Sequence, residues 1–133
     1  MSGPTNVFAL LLGWWAGLGA TPAPQPDAVP AELRQARAEA ARATYQGLER
    51  RIRQEPEKVT PEDLYRWSCR LRDAERAGGD ARAALTAHRD RMQRVEELVK
   101  ALVRVGQASP YEVEAARYYR VEAEIGLLQA PKK

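Results

Sequence analysis

The sequence is poor in the side chains that hold metals, form disulfides or act as nucleophiles. Its 133 residues include one cysteine and one histidine, and its only serines are Ser2, Ser68 and Ser109. A single cysteine excludes an internal disulfide, and one histidine without a second His or Cys at ligand spacing does not make a zinc site. Gly-rich phosphate loops and nucleophile elbows are absent too. The sequence therefore predicts no catalytic residue, metal, cofactor or small-molecule substrate.

The two rare side chains have ordinary structural interpretations in their local context. Cys69 lies between Trp67 and Leu71, which favours a buried, unreactive thiol over a reactive or intermolecular one. His88 occupies an apolar seam, which favours a packed, hydrogen-bonded imidazole over a metal ligand or a catalytic base. Neither residue is therefore a candidate for chemistry.

Long apolar runs are also lacking. The longest covers residues 7–20, whereas a membrane-spanning helix needs roughly 20 apolar residues. This length, with small residues near the end, is typical of a signal-peptide core, although residues 1–6 carry no Lys or Arg. An uncleaved membrane anchor with Trp14 and Trp15 at the interface is the main alternative, and a disordered apolar tail is another. We expect residues 1–20 to be a signal peptide or an N-terminal anchor, and the protein to be exported, periplasmic or membrane-tethered.

Proline is concentrated directly after this segment. Four of the nine prolines lie in residues 21–30, and proline fixes φ and removes backbone donors. Residues 21–29 are therefore expected to form an extended spacer. A helical domain should follow over residues 30–130, with a short tail at residues 131–133.

The remainder of the chain has clear helix signals. TPED at residues 60–63 and SPYE at residues 109–112 each supply a capping hydroxyl, a first-turn proline and an acid three residues after the cap. They lie 49 residues apart (from 60 to 109), which hints at a duplicated helical hairpin. Pro56, Gly78 and Gly106 mark helix ends. The four expected helices cover about residues 30–55, 61–77, 81–105 and 110–130.

Apolar side chains in these segments alternate by three and four residues. This spacing averages 3.5 residues per turn and keeps one seam facing a partner helix. Short connections favour antiparallel neighbours, so the expected fold is all-α, with two antiparallel helical hairpins that are coiled-coil-like or form a four-helix bundle. The seam of the third helix consists of Leu85, His88, Met92, Val95, Val99 and Leu102. The second helix follows the same rule with Leu64, Trp67, Leu71 and Ala74, and the first with Ala38, Ala41, Tyr45, Leu48 and Ile52.

The fourth helix differs because it carries two apolar stripes. A helix with two stripes has the pattern needed to contact two neighbours. One stripe consists of Tyr118, Val121, Ile125 and Leu128. The other consists of Val113, Ala116, Ala123 and Leu127.

The basic charge excess does not by itself indicate nucleic acid. The formal charge is +3 and the pI is about 9.2, with seven basic and five acidic groups in residues 31–58 and six and three in residues 81–105. Most basic groups have a carboxylate within a turn or two, and no Arg/Lys run is interleaved with aromatics. A solvated, ion-paired surface is therefore favoured over nucleic-acid binding.

Large aromatic and aliphatic side chains are the candidate partner contacts, since such residues dominate binding hot spots. Core packing is the alternative, and it is favoured for Trp67 and Tyr118. Tyr119 lies off the main stripe, so both interpretations stay open. The candidate partner-binding residues are Tyr118, Tyr119, Val99, Leu102 and Ile125.

Residues 103–130, VRVGQASPYEVEAARYYRVEAEIGLLQA, resemble a signature of TolC-family outer-membrane efflux proteins. In that family a glycine at a helix end precedes a Ser cap, an acidic-Val pair and alanines about seven residues apart. The resemblance covers about a fifth of the chain, and it implies a periplasmic-type coiled coil rather than a channel. Glu114 departs from the pattern, because leucine is usual there. The matching residues are Gly106, Ser109, Glu112, Val113, Ala116 and Ala123.

These observations favour a non-enzymatic function. The expected protein is an exported or envelope helical interaction or scaffolding module that acts through coiled-coil docking. Its partner would be a copy of itself or a longer coiled-coil protein, with a membrane tether available through residues 7–20. The alternative is a cytoplasmic Arg-rich helical regulatory domain that binds nucleic acid weakly.

Overall fold

The computed structural model describes residues 28–132, which fold into α-helices without any β-strand. The all-α prediction is confirmed, and every helix boundary lies within two residues of the expected position. Predictions for residues 1–27 and for Lys133 lie outside the described residues. Within residues 28–132, no helix has an apolar stretch of the length needed to cross a bilayer. The helices are α1 (Ala31–Gln54), α2 (Pro61–Gly78), α3 (Ala81–Arg104) and α4 (Pro110–Leu128).

The second helix of each hairpin begins with the same local device. At α2, the Asp63 amide donates to Thr60 Oγ1 at 3.2 Å and the Thr60 amide donates to the Asp63 carboxylate at 2.9 Å. At α4, the Ser109 amide donates to the Glu112 carboxylate at 2.7 Å. These reciprocal bonds satisfy amides that the first helical turn leaves without intrahelical partners. Sequence-local chemistry therefore fixes where α2 and α4 begin.

Removing the α2 cap should lower stability measurably. We expect Thr60→Ala to reduce the free energy of unfolding by about 1 kcal/mol, because the Asp63 amide loses its acceptor. Thr44→Ala is the matched control, since Thr44 Oγ1 only donates to the Ala40 carbonyl within α1 and its loss should change stability by less than about 0.5 kcal/mol. Urea unfolding monitored by circular dichroism measures both variants. Equal losses would contradict a specific capping contribution.

Short connections arrange the helices as an antiparallel series. Residues 55–60, 79–80 and 105–109 join them, and each connection is too short to cross the length of a helix. After α3, Gly106 adopts φ 74°, a left-handed conformation that glycine takes without a steric penalty. Its turn is closed by the Gln107 amide, which donates to the Leu102 carbonyl at 2.8 Å.

The four helices pack around α2. This helix contacts α1, α3 and α4, and α3 also packs against α4. All six seam residues predicted on α3 are buried, as the three-and-four spacing requires. In α1 the first buried side chain is Ala41, so the first ten residues of that helix contribute none to the core. The central cluster of buried residues contains Tyr45, Ile52, Val59, Leu64, Met92, Val95, Val99, Leu102, Ala116 and Ala123.

Helix α4 turns its small side chains inward. Ala116 and Ala123 are buried in the cluster, and small residues allow neighbouring helix backbones to approach closely. The stripe containing Tyr118, Ile125 and Leu128 is exposed. Of the two stripes predicted on α4, one therefore packs against this chain and the other has no partner within residues 28–132.

Candidate functional site

A buried polar network joins α2 to α3. Arg91 Nε donates to Ser68 Oγ at 2.7 Å, and Arg91 Nη2 approaches the Ser68 carbonyl at 3.3 Å. Ser68 Oγ also lies 2.7 Å from His88 Nδ1. Because a guanidinium can only donate, Ser68 Oγ accepts from Arg91. The same oxygen forms a second hydrogen bond with His88 Nδ1, in which the imidazole tautomer decides which of the two atoms donates.

The surroundings keep His88 neutral. Burial, followed by the positive charges of Arg72 and Arg91, lowers the pKa of His88 to about 4. Burial also lowers the pKa of Arg91, and Glu75 opposes that change from an N–O distance of 3.6 Å. Arg91 further covers the ring of Tyr45 at 5.7 Å from the guanidinium carbon. At neutral pH the network therefore joins a charged guanidinium, a serine hydroxyl and a neutral imidazole.

This network is enclosed. Ser68 is 0% exposed and His88 is 2% exposed, so neither side chain is open to a substrate from solvent. The predicted packed, hydrogen-bonded histidine is confirmed. Sequence reasoning missed Ser68 and Arg91, which are the partners that make the histidine a satisfied core residue. The network holds α2 against α3 through three specific hydrogen bonds.

Cys69 has the environment expected from its neighbours. The side chain is half-buried, and burial raises the pKa of its thiol, with the Tyr65 hydroxyl partly opposing the change. A raised pKa reduces the thiolate fraction at neutral pH, and the thiolate is the nucleophilic form. The raised pKa fits the expected unreactive thiol, whereas the expected burial is only partial.

The exposed apolar residues of α4 form a regular surface that we call the outer seam. Its positions alternate by three and four residues, which is the heptad spacing of a helix that packs against another helix. Glu114 is the single polar member of the series. The exposed fractions are 74% for Tyr111, 64% for Tyr118, 38% for Val121, 48% for Ile125 and 81% for Leu128. The outer seam consists of Tyr111, Glu114, Tyr118, Val121, Ile125 and Leu128.

Charged residues border both edges of the outer seam. On the edge beside α3, Glu124 accepts from Arg120 Nη1 at 2.9 Å, while Arg120 also pairs with Glu96 of α3. On the edge beside α2, Glu122 accepts from the Tyr65 hydroxyl at 2.7 Å. Glu122 is thus bonded directly to α2, whereas Glu124 is bonded to Arg120 of its own helix, which in turn pairs with α3.

The adjacent tyrosines of α4 have different roles. Tyr119 stacks on Tyr65 of α2, with ring centroids 4.2 Å apart and planes 8° apart. Tyr118 meets Tyr119 edge-on at 6.0 Å and is largely exposed. The preference for Tyr118 as a core residue was wrong, because the core side of α4 is formed by alanines. Tyr118 is available to a partner, whereas Tyr119 is engaged within the chain.

The remaining candidate partner contacts divide between core and surface. Ile125 belongs to the outer seam. Val99 and Leu102 are only 1% and 7% exposed, because the α3 seam faces the core cluster. Their assignment as partner contacts is therefore corrected: their surface is already used within this chain.

The outer seam is the strongest candidate site on the described surface. Within residues 28–132, no group of three or more His, Cys, Asp or Glu side chains is arranged to hold a metal ion. No protein-family model, curated protein or solved structure matches the chain. Five of the eight large apolar side chains that the structure exposes lie on the outer seam. Contiguous exposed apolar surface of this kind is characteristic of interaction sites.

Proposed function

We propose that the protein is a non-enzymatic helical interaction module that docks another helix on its outer seam. The observation that carries the proposal is the heptad-spaced row of exposed aromatic and aliphatic side chains on α4. A helix that only had to pack against α2 and α3 would need apolar residues on one side, with polar residues facing solvent. The second apolar stripe fits a helix that packs on both sides.

Docking through this surface would be reversible. Full burial of one large apolar side chain contributes roughly 1.5–3 kcal/mol, and the outer seam offers five that are already partly shielded. Association costs on the order of 4–15 kcal/mol in lost translational and rotational freedom. Because these two contributions are of similar size, docking on this surface should give a reversible association rather than a permanent complex.

We also propose that the module works outside the cytoplasm or tethered to a membrane. Support comes from the signal-like or anchor-like residues 1–20, from the Pro-rich spacer after them, and from the resemblance of residues 103–130 to a periplasmic coiled-coil helix. The alternative Arg-rich, nucleic-acid-binding domain is less favoured. Several arginines of α1 and α3 already face carboxylates, as in the pairs Arg42–Glu75 and Arg94–Glu49.

Site-specific photo-crosslinking in the native host tests the proposed function. A photoreactive amino acid replaces Ile125 in the full-length protein, and the same replacement at Arg50, an exposed residue of α1, is the matched control. We expect a protein adduct at position 125 that is absent at position 50, because a docked helix would lie within reach of the outer seam. Identical adduct patterns at the two positions would refute docking at this surface.

A further inference from the structure

We infer that the helix docked on the outer seam is α4 of a second copy of this chain, running antiparallel to the first. This inference rests on the proposed function, and it adds the identity and the direction of the partner. Three features of α4 support it: the symmetry of its spacing, the position of Glu114, and the charges along its edges.

When the second helix runs in the opposite direction, each position of the outer seam faces another position of the outer seam. The six positions are symmetric about the point between residues 119 and 120, because the residue numbers of each facing pair add up to 239. Each facing pair joins a residue at one seam position of the heptad to a residue at the other seam position, as in antiparallel helix pairs. The facing pairs are Tyr111 with Leu128, Glu114 with Ile125, and Tyr118 with Val121 of the second copy.

Glu114 distinguishes the two possible directions. In a parallel pair, Glu114 would face Glu114 of the second copy across the seam, where two like charges repel at close range. In the antiparallel pair it faces Ile125 of the second copy near the end of the interface. Its carboxylate lies 3.8 Å from an Arg117 nitrogen of the same chain, so a positive charge accompanies it at the interface.

The edge charges complement one another in the reversed pairing. In an antiparallel pair, equivalent edge positions face each other, so Arg117 lies opposite Glu124 of the second copy and Glu124 lies opposite Arg117. Two-fold symmetry therefore creates two opposite-charge pairs on the edge beside α3. On the other edge Ala115 lies opposite Glu122 of the second copy, so that no like charges meet.

The surrounding fold leaves room for this arrangement. The outer seam lies opposite the buried Ala116 and Ala123, so a second helix approaches from the side away from α2 and α3. From residue 111 to residue 128 the seam is about 26 Å long at 1.5 Å rise per residue. An interface of this length is at the small end for specific complexes, and the dimer should dissociate with a constant on the order of 10 µM.

Distances between spin labels test the direction of pairing. The full-length protein with Cys69→Ala carries one label at Ala115→Cys or at Gln129→Cys, two positions on the same edge of the outer seam. Antiparallel pairing predicts distances between copies of about 15 Å at position 115 and about 30 Å at position 129, from the helical rise and an interaxial spacing of about 10 Å. Equal distances at the two positions would show a parallel pair and overturn the inference. So would the absence of any intermolecular distance at a protein concentration of about 100 µM, tenfold above the expected dissociation constant.

Charge reversal tests the register independently. Arg117→Glu should weaken dimerisation about tenfold, because two favourable pairs become repulsive. Arg117→Glu combined with Glu124→Arg should restore it, whereas the control Arg50→Glu should leave it unchanged. Analytical ultracentrifugation over a concentration series measures the three variants. In a parallel pair Arg117 would face Glu122 of the second copy, so failure of Glu124→Arg to rescue would overturn the proposed register.

The crosslinking and distance experiments together distinguish failure of self-pairing from failure of the proposed docking function. An adduct at position 125 with a different protein, without intermolecular label distances, overturns self-pairing and leaves the docking function standing. The absence of a position-specific adduct overturns both. Association through residues 7–20 alone would raise the mass, but it would give neither the difference between the two label distances nor rescue by the charge swap.

Discussion

Acidification from pH 7 to pH 4 should reduce the free energy of unfolding by about 3 kcal/mol through His88 alone. The pKa of His88 is about 4 in the folded protein, against about 6.5 for an unperturbed histidine, and each pKa unit corresponds to about 1.4 kcal/mol. Between about pH 6.5 and pH 4, His88 is protonated in the unfolded chain but remains neutral in the folded chain, so protonation favours unfolding. Stability from this source is complete above pH 6.5, declines as the pH falls and is fully lost below pH 4.

The matched variant for this experiment is His88→Gln. Its side-chain amide can donate to or accept from the Ser68 hydroxyl, but it does not titrate. Other groups also weaken the fold in acid: burial raises the pKa of Glu96, but its pairs with Arg120 and Lys100 outweigh burial and lower it overall. Subtracting the variant curve from the wild-type curve removes those common contributions. Urea unfolding at half-unit pH intervals measures both curves, and parallel curves between pH 7 and pH 4 would contradict the buried neutral histidine.

Leu64→Ala should cost about 3 kcal/mol, within the range of roughly 2–5 kcal/mol for leucine truncation in a core. Leu64 is 0% exposed and lies on α2, the helix that contacts the other three. Its cluster includes Tyr45 of α1, Val95 of α3 and Ala116 of α4. Truncation should leave a cavity within this cluster, to which all four helices contribute side chains.

Leu33→Ala is the matched control, because it removes the same atoms from a side chain that is 61% exposed. We expect a change within about 0.5 kcal/mol. Chemical unfolding should be measured at a protein concentration of about 1 µM, well below the expected dimer dissociation constant, so that association does not contribute. A loss at Leu64 no larger than the loss at Leu33 would show that the α2 junction is not the centre of the fold.

The helix boundaries could be predicted because their determinants are local. Thr60, Pro61 and Asp63 form the predicted start of α2, and Gly106 takes the left-handed conformation expected after a helix end. The seam of α3 was predictable for a related reason, since a single regular stripe leaves one way to bury it. Both features depend on residues that are close together in the chain.

The polar core and the orientation of α4 depend on contacts that sequence spacing does not specify. Arg91 appeared to be one of many solvated arginines, yet it is buried and bonded to Ser68, 23 residues earlier. Its position three residues after His88 was the available signal, because that spacing places both on neighbouring turns of one helix face.

On α4, two stripes of apolar side chains have the same helical spacing, so the spacing does not indicate which stripe is buried. The alanine stripe packs inward because close backbone approach to α2 and α3 requires small side chains, a condition that becomes visible only when the neighbours are in place.

The start of α1 determines how the domain responds to tension on its N-terminus. The core begins at Ala41, so pulling at residue 28 first loads helical turns whose side chains face solvent. Unwinding about ten such residues, from 1.5 Å to about 3.4 Å each, would lengthen the chain by about 20 Å. If residues 1–20 hold the protein at a membrane, these first ten residues of α1 would unwind before a pulling force reaches the side chains of the core cluster.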